Sequence, residues 1–380
     1  MSKQNKDQFG FYRVGDLKFY SKLEAIEMHS RTGIHPHWDF NETVYDSCTW
    51  TIEPTESLNE LYRQRAEQIR NRYDYLVLMY SSGADSDNML HSFLDNSIIL
   101  DEIASFVNYE ATGDAHDHWF NGEIYDISIP KLKEKCPHIK HRLVDISQLT
   151  LDYFSNPSTK FDWIYSMNSI FNPNTTVRNY LRNIVNDWKD LINSGKKVGF
   201  IWGTDKPRIH IVDGKFCFRF IDIIDNAVNP DQQRLNIDGH YDEFFYWTPD
   251  MPSIVIKQAH IIKNYLSLAN EKSAYMSLEN SGLGYKFIDN KKYSISTVGV
   301  HQLIYPNFEY RIQNDNKPPT LFYPPRDKWF MNLSDSDIAK TSWEIGLKQL
   351  WKTVPDYWKN DPTDPLKAFK QCLSKPYFLE

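Results

Sequence analysis

Residues 75–88 read YLVLMYSSGADSDN, and this stretch decides the fold class. Its apolar run at 75–80 predicts a buried strand, and apolar residues resume from Met89 at the spacing of one helix face. The order is therefore strand, short loop of small residues, helix. Small side chains let the backbone approach a ligand closely, and the first amides of a helix lack internal partners. The stretch predicts an anion site at the start of the helix.

A phosphate chain such as that of ATP, or free pyrophosphate, is the natural occupant of such a site. A plain turn, in which Asp85 or Ser86 only caps the helix, is the alternative reading. The lysine-bearing loop G-x-x-x-x-G-K-[ST] is absent, because Gly195-Lys196 is followed by Lys197. The residues predicted to contact the phosphates are Ser81, Ser82, Gly83, Ala84, Asp85 and Ser86.

Strands and helices alternate along this part of the chain. Ser57 and Glu60 form a capping box that opens a helix before the first strand. Further strands are predicted at 103–109, 141–146 and 198–202, with helices or irregular helices between them, the longest at 177–192. This alternation predicts an α/β, Rossmann-like three-layer sandwich with a mainly parallel sheet, and with N-terminal and C-terminal α+β additions.

Three polar loops follow the strands of this sheet, with the sequences SSGADS, EATGD and GTDKPR. Ligands of open parallel sheets bind beyond the carboxyl ends of the strands, so we expect these loops to share one site. The predicted nucleotide-binding residues in the second and third loops are Asn108, Gly203, Thr204 and Asp205.

The string SSGADS resembles the SGGxDS signature of the PP-loop ATP pyrophosphatase superfamily, with Ser82 in place of the first glycine. GTDKPR is similar to the second glycine-containing motif of that superfamily, especially in its PAPS reductase branch. The pattern of both motifs and an aromatic-rich tail also looks similar to uncharacterised PP-loop proteins of tailed bacteriophages. The resemblance covers about residues 67–225.

The resemblance implies an adenine nucleotide alpha hydrolase-like enzyme that cleaves ATP to AMP and pyrophosphate and adenylates an unidentified acceptor, with ATP and Mg²⁺ as cofactors. Negative charge then builds on the pyrophosphate, and a loop without lysine must borrow cations. We predict Lys206 and Arg208 in this catalytic role, together with Asp85. Asp85 and Asp205 are the candidates for positioning Mg²⁺.

Two other classes of function stay open at this point. PAPS reductases carry a catalytic cysteine in an E-C-G-[IL]-H setting, and Cys372 matches only the cysteine, so a redox enzyme using Cys372 is one alternative. A non-catalytic nucleotide-binding protein is the other. Tyr246, Lys257 and His260 are candidate substrate contacts, although Lys257 and His260 also fit a solvated basic edge of a helix that begins near Pro252.

The sequence divides into an N-terminal extension at 1–66, an ATP-binding domain at 67–225 and a C-terminal aromatic-rich substrate or lid region at 226–380. A turn at Asp213-Gly214 predicts a β-hairpin that extends the sheet. Residues 281–330, rich in aromatics and prolines, are expected to cover the cleft.

Composition sets the outer limits on function. The net charge of −7 disfavours a general nucleic-acid coat. The four cysteines are too scattered for a zinc site or a disulfide framework. The chain has neither a signal peptide nor an apolar run long enough to span a bilayer. We therefore expect no membrane partner and a cytoplasmic location, the host cytoplasm if the protein is of phage origin. The sequence also leaves open whether the protein forms a homo-oligomer.

Overall fold

The computed structural model describes residues 5–116, 121–158, 163–166, 173, 185–204, 206–222, 238–268, 285–288, 291–294, 301–307, 327–363 and 369–380. The β-strands are β1 (Phe11–Val14), β2 (Leu17–Phe19), β3 (His37–Asp39), β4 (Tyr75–Met79), β5 (Glu102–Val107), β6 (Lys140–Asp145), β7 (Val198–Trp202), β8 (Ile209–Val212), β9 (Lys215–Phe218), β10 (His240–Phe244), β11 (Tyr285–Ile288), β12 (Lys291–Ser294) and β13 (Tyr377–Phe378).

The α-helices are α1 (Lys22–Thr32), α2 (Glu42–Tyr45), α3 (Leu58–Arg72), α4 (Ala84–Leu94), α5 (Tyr109–Thr112), α6 (Ile129–Lys135), α7 (Ser147–Ser155), α8 (Trp163–Ser166), α9 (Asn186–Asn193), α10 (Ser253–Leu268), α11 (His301–Ile304), α12 (Lys328–Met331) and α13 (Ile338–Thr353). A π-helix at Glu123–Ser128 precedes α6, and short 3₁₀ helices lie at Lys6–Phe9 and Asp356–Trp358.

A five-stranded sheet in the order β10-β7-β4-β5-β6 forms the centre of the molecule, and every neighbouring pair in it is parallel. Consecutive residues of β5 and of β7 are all buried, and because side chains alternate between the two faces of a strand, both faces are covered. The chain is therefore a mixed α/β protein, as predicted, and its sheet is compatible with a Rossmann-like sandwich.

The strand order contains one reversal. Within this sheet, β4 is the first strand in the chain and lies at the centre. The next two strands, β5 and β6, lie on one side of it, and the last two, β7 and β10, lie on the other side. The carboxyl ends of β4 and β7 consequently lie next to each other at the point where the direction of winding changes. In doubly wound sheets this switch point opens the crevice in which ligands bind.

The local sequence signals are confirmed around β4. Helix α3 begins where the capping box predicts, and the side chain of Ser57 accepts a hydrogen bond from the backbone N–H of Glu60 at 3.2 Å. One of the irregular helices expected between the strands is the π-helix at Glu123–Ser128, which continues into α6. Of the helix predicted at 177–192, the part from Asn186 onward forms α9, and residues 177–184 lie outside the described residues.

The β-hairpin at Asp213-Gly214 is confirmed, but the prediction that it extends the main sheet is wrong. Strands β8 and β9 form a separate antiparallel sheet with β13, in the order β13-β9-β8. The edge of β7 is already paired with β10, which leaves the hairpin no place beside it. The main sheet thus takes its fifth strand from beyond residue 225, the predicted end of the ATP-binding segment.

The two ends of the chain meet beside this smaller sheet. The backbone N–H of Trp38 donates to the carbonyl of Leu373 at 3.3 Å, and β13 pairs with β9. Lys22 forms a buried ion pair with Asp222, with Nζ and Oδ2 2.7 Å apart.

Along the described ranges, no helix is both long and apolar enough to cross a bilayer.

Candidate functional site

The loop after β4 makes a tight turn into α4. Ser82 adopts a left-handed backbone with φ of 57°, whereas Gly83 has φ of −67° and forms the N-cap of the helix. The Ser86 hydroxyl donates to the carbonyl of Gly83 at 3.0 Å and accepts from the backbone N–H of Ser81 at 3.2 Å. Ser86 therefore closes the loop on itself.

The start of α4 presents unsatisfied donors. Within the described part of the chain, the backbone N–H groups of Ala84, Asp85 and Ser86 have no hydrogen-bond acceptor, while that of Asp87 donates to Gly83. Three convergent amides at the positive end of a helix form a ready anion site. The predicted role of the loop thus has the backbone geometry that it needs.

The loop after β7 lies directly against this helix start. A Cβ atom added to Gly203 would lie 3.1 Å from both the Cβ of Asp85 and the Cε of Met89. Three residues later, the Lys206 ammonium lies 2.7 Å from Oδ2 of Asp85, and its side chain is 15% exposed. The structure thus brings the SSGADS and GTDKPR loops together at the switch point of the sheet, although about 120 residues separate them.

Asp85 is held from several sides. Its Oδ1 accepts a hydrogen bond from the hydroxyl of Tyr305, and its backbone carbonyl accepts one from the hydroxyl of Tyr246 at 2.8 Å. Burial on its own would raise the pKa of Asp85, but the charges of Lys206 and His301 outweigh it and hold that pKa below its usual value. Asp85 is therefore a carboxylate at neutral pH, and Lys206 compensates its charge.

Tyr246 forms a hydrogen bond to the backbone of the loop between β4 and α4. It is fully buried, and its hydroxyl accepts from the side-chain amide of Asn88 at 3.0 Å while donating to Asp85. Tyr246 is a predicted substrate contact, and in the structure it packs against the loop that carries the predicted phosphate site.

Two contacts of the site were missed by the sequence reasoning. Tyr305 reaches Asp85 from a region that carried no usable pattern, and the hydroxyl of Ser82 donates to the carbonyl of Glu123 at 3.2 Å. A single tyrosine among 23 in the chain gives no spacing signal, and a backbone carbonyl gives none at all. Residues 301–307 are one described part of the 281–330 region expected to cover the cleft, and Tyr305 attaches them to Asp85.

The remaining nucleotide candidates lie at the ends of the strands. Asn108 is buried after β5, where its backbone N–H donates to the side chain of Asn121 at 2.9 Å. The carbonyl of Thr204 accepts from the backbone N–H of Trp247 at 3.3 Å, which ties the second loop to the end of β10. Asp205 lies outside the described residues. Arg208 donates to the side chain of Gln371 at 3.3 Å, so this contact is with the C-terminal segment.

The structure does not bring Lys257 and His260 into contact with the loop. Lys257 forms an ion pair with Glu53 at 2.8 Å, and Nε2 of His260 lies 2.8 Å from the carbonyl of Trp50. Both side chains attach α10 to the segment before α3. The third member of their helical row, Lys263, donates to the carbonyl of Leu379 at 3.1 Å.

Cys372 lacks the properties of a redox nucleophile. It is buried, and burial raises the pKa of its thiol to about 12. Reactive cysteines are exposed thiolates with lowered pKa values. The structure thus gives the redox alternative no support.

Around Asp85, the residues that the structure describes do not form a protein-held magnesium site. Both carboxylate oxygens of Asp85 already accept hydrogen bonds, from Tyr305 and from Lys206. Across the described residues there is no group of three or more His, Cys, Asp or Glu that could hold a metal ion. A magnesium ion would have to arrive on the phosphates of its ligand.

No protein-family model matches this chain, and no curated protein sequence does so. The assignment of a function therefore depends on the site itself.

Proposed function

We propose that the chain binds ATP with its phosphates at Ser81–Ser86 and cleaves it between the α- and β-phosphates, transferring AMP to an acceptor. The observation that carries this proposal is the contact of Lys206 with Asp85 at the start of α4. This contact places a cation beside the free backbone amides at the start of α4. Both lie at the switch point of the parallel sheet, where ligands of such folds bind.

The size of the effects favours a role for the lysine in the chemistry. Interactions with a helix dipole are worth about 0.3 to 2 kcal/mol. Catalysis must lower a barrier by about 8 kcal/mol or more. When an acceptor oxygen attacks the α-phosphate, charge grows on the departing pyrophosphate, and a fixed cation there stabilises the transition state more than the ground state. Lys206 bonds directly to a residue of the loop, Asp85.

The ion pair also explains how the side chain of Lys206 is kept oriented toward the start of α4. Without ligand its ammonium is paired with Asp85, so it stays oriented toward the helix start. An incoming phosphate competes with Asp85 for that ammonium, and the Tyr305 hydroxyl keeps one oxygen of Asp85 hydrogen-bonded during the exchange. Arg208 is directed to Gln371 and is assigned no part in this step.

The test is the identity of the nucleotide product. The protein is incubated with Mg-ATP and a fractionated cell extract as the source of acceptor, and nucleotides and pyrophosphate are separated by chromatography. We expect one pyrophosphate for each ATP consumed, with the AMP moiety recovered on the acceptor or, once that adenylate is cleaved, as free AMP. Accumulation of ADP with phosphate would refute the proposed reaction. ATP binding without turnover in every fraction would favour the non-catalytic nucleotide-binding alternative.

A further inference from the structure

A histidine and an aspartate form a hydrogen-bonded pair beside the loop that follows β5. Nδ1 of His116 lies 2.5 Å from Oδ1 of Asp126, a residue of the π-helix before α6. A carboxylate only accepts hydrogen bonds, so Nδ1 carries the hydrogen and donates it, and Nε2 keeps its lone pair. Within the ranges that the structure describes, Nε2 has no hydrogen-bond partner. The His116 side chain is 73% exposed, so Nε2 is open to a substrate.

The backbone around His116 is fixed by a buried asparagine. The side chain of Asn121, which is fully buried, accepts from the backbone N–H of Asn108 at 2.9 Å. It also donates to the hydroxyl of Thr112 and to the carbonyl of Asp114, each at 2.8 Å. The Asp114 carboxylate in turn accepts from the backbone N–H of His116 at 2.8 Å. These bonds hold the imidazole at a defined position although it lies on the surface.

The pair of His116 and Asp126 lies near the predicted phosphate loop. The hydroxyl of Ser82 donates to the carbonyl of Glu123 at 3.2 Å, and Asp126 follows Glu123 by three residues in the same π-helix. Residues three apart on a helix are neighbours, about 5 to 6 Å from each other. The pair follows β5, which neighbours β4 on one side, whereas Lys206 follows β7, which neighbours β4 on the other side. An imidazole and an ammonium thus flank the loop from its two sides.

We propose that His116 is the general base of AMP transfer and that the acceptor is a hydroxyl group, an inference that rests on the proposed function. The oxygen of the hydroxyl forms a bond to the α-phosphorus, and the bond from that phosphorus to the oxygen bridging it to the β-phosphorus breaks. The electron pair of the broken bond leaves on pyrophosphate. The proton of the hydroxyl passes to Nε2 of His116, and the exposed imidazolium then releases it to water.

The presence of a base selects the class of acceptor. A carboxylate acceptor carries no proton at neutral pH, so its transfer needs no base. A hydroxyl is a weak nucleophile until a base withdraws its proton, and a positioned base contributes about a hundredfold to ten-thousandfold in rate. Asp126 is the positioning residue, because it keeps the hydrogen on Nδ1 and stabilises the imidazolium that forms.

The test measures pyrophosphate release from Mg-ATP in the most active fraction of cell extract, with ATP radiolabelled at the α-phosphate. His91→Gln is the control, because His91 also pairs with an aspartate, Nδ1 lying 3.3 Å from Oδ2 of Asp95, but near the far end of α4. We expect His116→Gln to lower the rate by about a hundredfold or more, with ATP affinity unchanged. Asp126→Asn should lower it by about tenfold or more, and His91→Gln should keep the wild-type rate.

Three readouts separate a base from a structural role. A protonated imidazole cannot accept a proton, so the wild-type rate should fall as the pH is lowered through the range in which histidine titrates, and His116→Gln should lack this fall. Free imidazole should restore part of the rate in His116→Ala, because the position is exposed, and should restore none in Lys206→Met. The bond between AMP and the acceptor should resist neutral hydroxylamine, which cleaves acyl adenylates but leaves phosphodiesters intact.

Each contrary result has its own meaning. AMP transfer at the wild-type rate in His116→Gln, or an equal loss in His91→Gln, would overturn the assignment of the base while the proposed function stands. Cleavage of the labelled product by hydroxylamine would overturn the hydroxyl as acceptor. Absence of pyrophosphate release in every fraction would overturn the proposed function, and the general base with it.

Discussion

Ser82 has a left-handed backbone in the loop between β4 and α4, with φ of 57°. The SGGxDS signature has glycine at this position, and glycine is the residue that adopts this conformation without steric cost. A residue with a side chain pays about 1 to 2 kcal/mol for it. The serine is held there by its hydrogen bond to the carbonyl of Glu123, which offsets part of that cost.

This conformation predicts that glycine at position 82 is more stable than alanine, the reverse of the usual order. Ser82→Ala loses the hydrogen bond and keeps the strain, whereas Ser82→Gly loses the bond and removes the strain. We expect the glycine variant to be about 1 kcal/mol more stable than the alanine variant, measured by urea unfolding. At ordinary helix or strand positions glycine is the less stable of the two, so an alanine variant of equal or greater stability would contradict the assigned backbone.

Lys206 has a matched control elsewhere in the chain. Lys257 is also 15% exposed and also forms an ion pair, so replacing either lysine with methionine removes a similar interaction. We expect Lys206→Met to lower the rate of pyrophosphate release by on the order of a hundredfold, as for loss of one transition-state donor, with a smaller change in ATP affinity. Lys257→Met should keep the wild-type rate. Full turnover in Lys206→Met would remove the lysine from the mechanism.

At the scale of elements, the close approach of the β7 loop to α4 depends on Gly203. A Cβ there would be 3.1 Å from Asp85 and Met89, tighter than most packed contacts, so a neighbour would have to shift. Gly203→Ala should therefore cost about 1 to 3 kcal/mol of stability through overpacking. Gly83→Ala is the control, because its backbone is not left-handed and its new Cβ meets only the Ser81 hydroxyl at 3.3 Å. Equal stability of both variants in thermal unfolding would argue against the contact.

The elements around β4 could be predicted because their signals are local. The capping box of α3, the apolar run of β4 and the helical spacing of α4 each depend on neighbouring residues, and all three are found. The hairpin was also predicted, but its partner strand was not. Pairing of β9 with β13 joins residues about 160 apart, and a two-residue strand at Tyr377–Phe378 carries no periodicity.

The candidate site was predictable to the same degree. Both loops were found from their composition, and their proximity followed from the rule for parallel sheets. The contact of Tyr305 with Asp85 could not be found, since it depends on how a segment more than 200 residues away folds over the crevice. The direction of Arg208 depends likewise on Gln371 in the C-terminal segment.

At the scale of the whole molecule, a buried ion pair joins the N-terminal part of the chain to its middle. Lys22 and Asp222 are almost completely buried, and the hydroxyl of Tyr12 also donates to Asp222 at 2.9 Å. Removing one partner of such a pair leaves an uncompensated charge and costs about 3 to 5 kcal/mol.

We therefore expect Lys22→Met to lower the free energy of unfolding by about that amount in urea titrations. The exposed pair of Lys18 with Asp7 serves as the control. Lys18→Met should change stability by less than about 1 kcal/mol. Similar losses in both variants would show that the buried pair does not stabilise the fold more than an exposed one.

The central claim is that the loop at Ser81–Ser86 binds the phosphates of ATP, and calorimetric titration of Mg-ATP into wild type and Gly83→Val tests it most directly. We expect the valine side chain to block close approach of a phosphate to this backbone, while the φ of −67° at this position accepts a side chain. The account predicts that wild type binds ATP, and that Gly83→Val loses this binding while keeping the wild-type unfolding midpoint within a few degrees. Unchanged ATP affinity in the folded valine variant would contradict it.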